Sequence, residues 1–224
     1  MPIAVLALLL IALPAWGAGK SANLLANGSF EDPAEPLRGW RVVYDLPGES
    51  PYAENHRYIS VIPREEGRPH VLRLEVKEPF AWTRGQGIKT DSSPVPVETA
   101  ARYRFSAWAK STGMDSNSPG PNCRIYLEGY AWKPGIKPHP NPELHELRKC
   151  FKLDQLYFGA KPSGEMGGVG RSWSKAQMTF PDQSPSKLKQ EMWNKVRFVS
   201  VHIVGLNLPE GFLFVDDVAI EKLP

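Results

Sequence analysis

Apolar and polar residues alternate with a period of two in several stretches of this chain, the pattern of strands that bury one face. Across 70–78, Leu72, Leu74 and Val76 share one side, and Val71, Arg73, Glu75 and Lys77 the other. Across 101–110, Tyr103, Phe105, Ala107 and Ala109 point one way, and Arg104, Ser106, Trp108 and Lys110 the opposite way. Across 123–132, Cys123, Ile125, Leu127, Gly129 and Ala131 form an inward row; Arg124, Tyr126, Glu128, Tyr130 and Trp132 form an outward one. Shorter runs at 41–44, 58–62, 85–90, 172–180 and 193–206 read as further strands. Pro-, Gly- and Ser-rich turns separate them, and no long helical period or internal repeat is visible. Short strands divided by turns predict an all-β sandwich.

Both ends of the chain extend the pattern. Residues 23–31 read Asn-Leu-Leu-Ala-Asn-Gly-Ser-Phe-Glu and are followed by Gly39 and Trp40. Residues 212–220 read Phe-Leu-Phe-Val-Asp-Asp-Val-Ala-Ile. We expect these to be the first and last strands and to lie side by side. Strict alternation puts Asp216 on one face with Phe212, Phe214, Val218 and Ile220. A buried carboxylate needs a partner, and this strand offers no base on that face. Glu31, near the other end, is a second acid. Bringing the two together calls for a hard cation such as Ca²⁺ between them. The alternatives are a surface position for Asp216, or backbone amides that satisfy it.

Composition narrows the picture. A chain of 224 residues with 42% hydrophobic content suits one domain or a small pair, with a sizeable core, and is read as one domain over 20–224. Twenty-two prolines and 19 glycines favour turns over helices. The net charge is only +3 and Lys and Arg do not cluster, so no nucleic-acid partner is expected. Residues 1–19 are an apolar run ending in small residues, as in a secretory signal peptide, and are short for a bilayer span. No Lys or Arg stands near the start, and an uncleaved anchor is the alternative. The expected location is therefore secreted, periplasmic or cell-envelope, with no membrane span after cleavage. In such a compartment Cys123 and Cys150 are expected to form a disulfide, with free thiols as the alternative. That bridge would tie down an irregular insertion at 133–171, Pro-rich at its start and Gly-rich at its end, with a short helix or strand expected at 143–158 and partial order from its own Leu153, Leu156, Tyr157 and Phe158.

The outward rows collect Arg73, Glu75, Arg104, Trp108, Tyr126, Glu128, Tyr130 and Trp132, joined by His202 from another strand. Aromatic rings amid charged groups suit a sugar, whose ring faces are apolar and whose rim is hydroxyl. Alternatively these rings pack beneath the insertion. Catalytic signals are weak. No nucleophile elbow occurs, and nothing marks Glu75 and Glu128 as a hydrolytic pair. His139, Glu143, His145 and Glu146 match no metal-binding spacing and read as a solvated loop.

The opening 23–31 with Gly39-Trp40, the closing Phe-Val-Asp-Asp-Val-Ala-Ile and the middle stretch 103–110 together resemble carbohydrate-binding modules of the galactose-binding-like superfamily, in particular the xylan- and glucan-binding modules of bacterial polysaccharidases. The resemblance runs from end to end of the mature chain. It implies a jelly-roll β-sandwich that binds a polysaccharide or oligosaccharide on its concave sheet. The expected ligand-binding residues are Tyr126, Glu128, Tyr130, Trp132, Arg73, Arg104 and Trp108. The resemblance also implies a structural Ca²⁺ held by Glu31, Asp216 and the Ser29 carbonyl. The reading is an exported, non-catalytic module that keeps a polysaccharide near the cell or near a partner enzyme. Its rivals are an envelope protein-interaction domain of the same fold and a polysaccharide hydrolase or lyase.

Overall fold

The computed structural model describes residues 22–42, 57–77, 88–115, 117–158, 169–206 and 210–224. The expected signal peptide, 1–19, lies outside the described residues. The strands are β1 (Trp40–Val42), β2 (Ile59–Glu65), β3 (Arg68–Val76), β4 (Ile88–Ser92), β5 (Val95–Pro96) and β6 (Tyr103–Gly113). They continue as β7 (Asn122–Trp132), β8 (Leu147–Gln155), β9 (Ser174–Phe180), β10 (Phe198–Leu206) and β11 (Gly211–Lys222). A short α-helix, α1 (Lys187–Trp193), precedes β10, and a 3-10 turn (Leu144–Glu146) precedes β8.

Two antiparallel sheets face each other. One has the order β1-β4-β10-β7-β8, with β5 pairing β10 as its sixth strand; the other has the order β2-β3-β11-β6-β9. Among the described residues, β2–β3 and β7–β8 are the hairpins within one sheet. Most other connections cross between the sheets, as in a jelly roll. The inward rows read from the sequence meet in one core. Tyr103, Phe105, Ala107 and Ala109 of β6 pack with Ile125 and Leu127 of β7, and Val201 and Ile203 of β10. Among the described residues, no helix is long and apolar enough to cross a membrane.

The two ends of the chain do lie together, but 23–31 is not a strand. Asn23 makes a single bridge to Glu221. Its side chain then spans the gap, accepting from the N–H groups of Leu25 and Ile220 at 3.0 Å and donating to the Val218 carbonyl at 2.9 Å. Asn27 and Phe30 take left-handed backbone angles, φ 47° and 57°, which turn the segment over and drop Phe30 into the core. Gly28 is needed here: a Cβ would sit 2.0 Å from the Val218 oxygen.

Strict alternation also fails at the far end. Between Asp216 and Ala219, β11 carries one residue more than its partner β6, a β-bulge with Asp217 at φ 47°. Leu213 and Val215 face the core before the bulge, and Val218 and Ile220 after it. Asp216 thus stays on the outer side with Phe212 and Phe214, opposite Trp108.

One further expectation is corrected. Cys123 and Cys150 are both free thiols. Cys150 lies beside the Gly129–Phe151 pair, and Cys123 is six residues away along β7, about 20 Å at strand rise. A disulfide needs Cα atoms within about 7 Å. Within the insertion, the short helix or strand expected at 143–158 is a strand: β8 forms the edge beside β7. Its apolar side chains Phe151 and Leu153 pack against the core, which orders it without a covalent tie.

Candidate carbohydrate-binding face

The outward rows do not share one surface. Tyr126, Glu128, Tyr130 and Trp132 stand on the outer face of the six-stranded sheet with His202. Arg73, Glu75, Arg104 and Trp108 stand on the outer face of the other sheet. The core lies between them. The seven expected ligand contacts are therefore split across opposite sides of the sandwich, because strand pairing is non-local and parity within a strand cannot assign its sheet.

On the six-stranded sheet, register sets Tyr126 beside His202, and His202 beside Asp91. His202 is 1% exposed and Asp91 2%. The His202 Nδ1 is 2.5 Å from Asp91 Oδ1, and its Nε2 lies 3.1 Å from the Tyr130 hydroxyl and 3.4 Å from Glu128 Oε2. The Tyr130 O–H donates to Glu128 at 2.7 Å, and Lys149 donates to the other Glu128 oxygen at 2.5 Å. Lys89 and Arg41 complete the shell of Asp91, at 3.2 and 3.5 Å. Burial pushes the Asp91 carboxyl up, but His202 and Lys89 outweigh it and hold it below the usual carboxylate range. Burial likewise opposes ionisation of Glu128, and Lys149, His202 and Tyr130 overcome it. Neither carboxyl is held protonated, as a general acid at a glycosidic bond must be. Burial drives the Tyr126 phenol well above its ordinary value, with Glu128 and Asp91 adding to the shift, so it stays neutral and is a poor base.

This network fixes the Tyr126 ring. It stacks on His202 at 4.9 Å and 17°, and remains half-buried. Its neighbours Arg124 and Glu128, with Lys89 and Lys152 alongside, line a half-open groove of about 230 Å³. Val204 and Leu206 give that groove an apolar side. The other end of the row is covered. Tyr130 packs with Leu147 and Phe198, and Trp132 and Leu144 close over them. Trp132 meets Phe198 edge-on at 5.3 Å and His139 at 5.2 Å. The expected loop histidines make local pairs, His139 with Glu146 and His145 with Glu143, both at 3.0 Å.

The opposite face is built around Arg68. Its guanidinium lies 4.7 Å from the Trp108 ring and 4.5 Å from the Trp173 ring, with bonds of 2.5 Å to Asp216 and 3.0 Å to Asp217. Lys110, nearly fully buried beside the Phe214 ring, pairs with Glu65 and Glu66. Arg73 lies 5.5 Å over the Phe212 ring, Glu75 pairs with Lys77 at 2.9 Å, and Arg104 with Glu221 at 3.0 Å. Trp108 also edges a wider opening of about 490 Å³, with Ser29 and Asp217 at its rim.

The acids expected to hold Ca²⁺ are engaged differently. Asp216 has Arg68 and the Asp217 N–H at 2.6 Å; Glu31 has His70 Nδ1 at 2.8 Å. Ca²⁺ takes six to eight oxygens, and a guanidinium against Asp216 repels it. Among the described residues, no group of three or more His, Cys, Asp or Glu could hold a metal. As placed, these donors do not fit the ion. Even with Arg68 beside it, burial leaves the Asp216 carboxyl above its ordinary value.

Lys89, Asp91, Lys149 and Lys152 are site residues that parity reading missed. Asp91 follows the run at 85–90 and continues its alternation with Lys89, a signal that could have found both. Lys149 and Lys152 sit on β8, which carries two register shifts and shows no simple period.

No family model matches the chain, and no curated protein does. Among solved structures it is similar to a family 16 carbohydrate-binding module, at 15% identity and a TM-score of 0.45, covering 88% of this chain and 99% of that one. It is similar to a xylan-binding domain from Paenibacillus barcinonensis, at 13% identity and 0.47, covering 92% and 97%. It is also similar to the family 11 carbohydrate-binding module of a cellulosomal cellulase of Clostridium thermocellum, at 11% identity and 0.47, covering 92% and 97%. At these identities and TM-scores the likeness says nothing of what this chain binds, and the β-sandwich is read from its own strand pairing.

Proposed function

We propose that this chain is an exported, non-catalytic domain that binds a polysaccharide or oligosaccharide in the groove beside Tyr126. The observation that supports this reading is the Tyr126 ring, backed by His202 and edging an open groove with polar groups on one side and Val204 and Leu206 on the other. With His202 on one face and the Lys152 ammonium on the other, the ring presents its outer edge to the groove, and an edge held in place before ligand arrives loses little side-chain entropy on meeting a sugar. Hydrogen-bonding groups around it orient the hydroxyls. Export rests on residues 1–19, and retention near a cell surface or partner enzyme would follow from it. Trp132, Tyr130 and the residues of the opposite sheet are not assigned to the ligand, since they are spent on packing and ion pairs.

Affinity electrophoresis through gels containing xylan, glucans or pectic polymers tests the reading. At least one polymer should retard the protein. Tyr126→Ala should reduce that retardation about tenfold; losing a half-buried ring packed on His202 also costs about 1–3 kcal/mol, so the urea midpoint is used to confirm that the variant is folded in the assay. Retardation by no polymer, or full retardation of the Tyr126→Ala variant, sinks the proposal.

A further inference from the structure

The outer face of the five-stranded sheet has a hollow that its ion pairs leave unfilled. Arg68 occupies one side of the Trp108 ring, the side toward Trp173 and Lys110. The opening of about 490 Å³ is lined by Trp108 with Ser106, Ala219 and Glu221, and not by Arg68, Trp173 or Lys110, so it meets the indole from the other side. Register explains the hollow. Ser106 pairs with Ala219 in the next outward row, about 7 Å along the strand from Trp108. Both side chains are small, which leaves a gap between the indole and the Arg104–Glu221 pair beyond. The β-bulge brings Asp217 to the rim of the same gap. The volume falls within the roughly 300–1,000 Å³ of small-molecule sites.

The rim suits uncharged hydroxyls. Asp217 gives one carboxylate oxygen to Arg68 at 3.0 Å, and Glu221 gives one to Arg104 at 3.0 Å; the second oxygen of each remains an acceptor. Lys175, across the β6–β9 pair from Trp108, is exposed and makes no ion pair or hydrogen bond among the described residues. A cationic ligand is repelled by Arg68 behind the indole and by Lys175 at the rim. An anion meets the spare oxygens of two carboxylates. A neutral ring with an apolar face and a hydroxyl edge matches both the indole and these groups.

We propose that this hollow is a second saccharide site, which takes a neutral sugar ring against the side of Trp108 away from Arg68. The sugar hydroxyls donate to Asp217 and Glu221 and accept from Lys175. The core separates this site from the groove beside Tyr126, so the two do not depend on each other and one molecule can hold two chains.

The test uses the Tyr126→Ala protein, in which the first groove is disabled. The Trp108 indole N–H is followed by NMR as xylotetraose or cellotetraose is added, with galacturonate and glucosamine tetramers as the anionic and cationic counterparts. At least one neutral tetramer should move that signal, at an affinity about tenfold below that of the Tyr126 groove, in line with the residual retardation expected of this variant. Ala219→Tyr fills the hollow from its floor and should weaken the binding at least about tenfold; Lys175→Met should weaken it about threefold. Lys175 is exposed and Ala219 lies outside the core, and urea midpoints check that both variants fold. Placed in wild type, Ala219→Tyr should leave the Tyr126-dependent retardation intact. An indole signal unmoved by either neutral tetramer overturns this inference and leaves the Tyr126 reading standing. Binding that ignores both Ala219→Tyr and Lys175→Met does the same, as does tighter binding of a charged tetramer than of both neutral ones. Retardation of wild type by no polymer, together with a silent indole, defeats both readings.

Discussion

His202→Ala tests whether buried charge holds the outer face of the six-stranded sheet. The ring lies between two carboxylates, 2.5 Å from Asp91 and 3.4 Å from Glu128. Breaking a buried pair by removing one partner costs about 3–5 kcal/mol, because the other charge stays behind without compensation. Lysines remain beside both acids: Lys89 at 3.2 Å from Asp91, and Lys149 at 2.5 Å from Glu128. The low end of the range, about 3 kcal/mol, is therefore expected. For a domain of this size that corresponds to a fall in Tm of roughly 6–12 °C.

The pH dependence has a definite sign. Asp91 and Glu128 both have folded values below their ordinary ones. Such groups contribute stability above their unfolded values, about 4, and lose it as pH falls through the folded value. His202 is among the causes of both shifts. The variant therefore has less of this stability to lose, and the gap between wild type and variant narrows below about pH 4. Arg41, Lys89, Lys149 and Lys152 keep their charge over that range and do not alter the sign. Urea melts at about pH 7 and about pH 3 supply the measurement, with the slope m reporting that the same surface unfolds. A neutral-pH difference below about 1 kcal/mol, or one that stays constant down to acid pH, refutes the reasoning.

Chelation should leave the melting temperature unchanged, since Arg68 already neutralises Asp216 and His70 faces Glu31. A drop of several degrees in excess EDTA would restore a Ca²⁺ site at Ser29, Glu31 and Asp216. In denaturant without reductant, thiol titration should count both cysteines, as neither is bridged; a count of zero would restore the disulfide. In the native protein Cys123 should react far more slowly, because burial removes access and raises its thiol to about 12. Gly28→Ala should lower stability by about 1–3 kcal/mol, as an overpacked contact does, because its Cβ would meet the Val218 oxygen at 2.0 Å. An unchanged urea midpoint would show that the chain ends are not docked as described.

Where alternation is unbroken, side-chain direction was legible from sequence. The row Cys123, Ile125, Leu127 faces the core as parity requires, and Tyr126 and Glu128 face out. Which sheet a strand joins was not legible, since Asp91, Tyr126, Glu128, Lys149 and His202 come from four strands that only pairing across the sheet brings together. That is why Trp108 and Arg73 were grouped with Tyr126 although the core separates them. The cysteines were paired by their even number, a compartment argument that carries no distance. Asp216 shows how one residue changes the chemistry inferred. Read with period two, it shares a face with Val218 and Ile220 and requires a cation from elsewhere. The bulge at 216–219 puts those two residues in the core while Asp216 stays outside, within reach of Arg68 on β3. The requirement for a partner was correct, because the carboxylate is 3% exposed. The extra residue decided that the partner is a guanidinium held between two tryptophans, and a bulge of this kind leaves no trace in a pattern of apolar and polar positions.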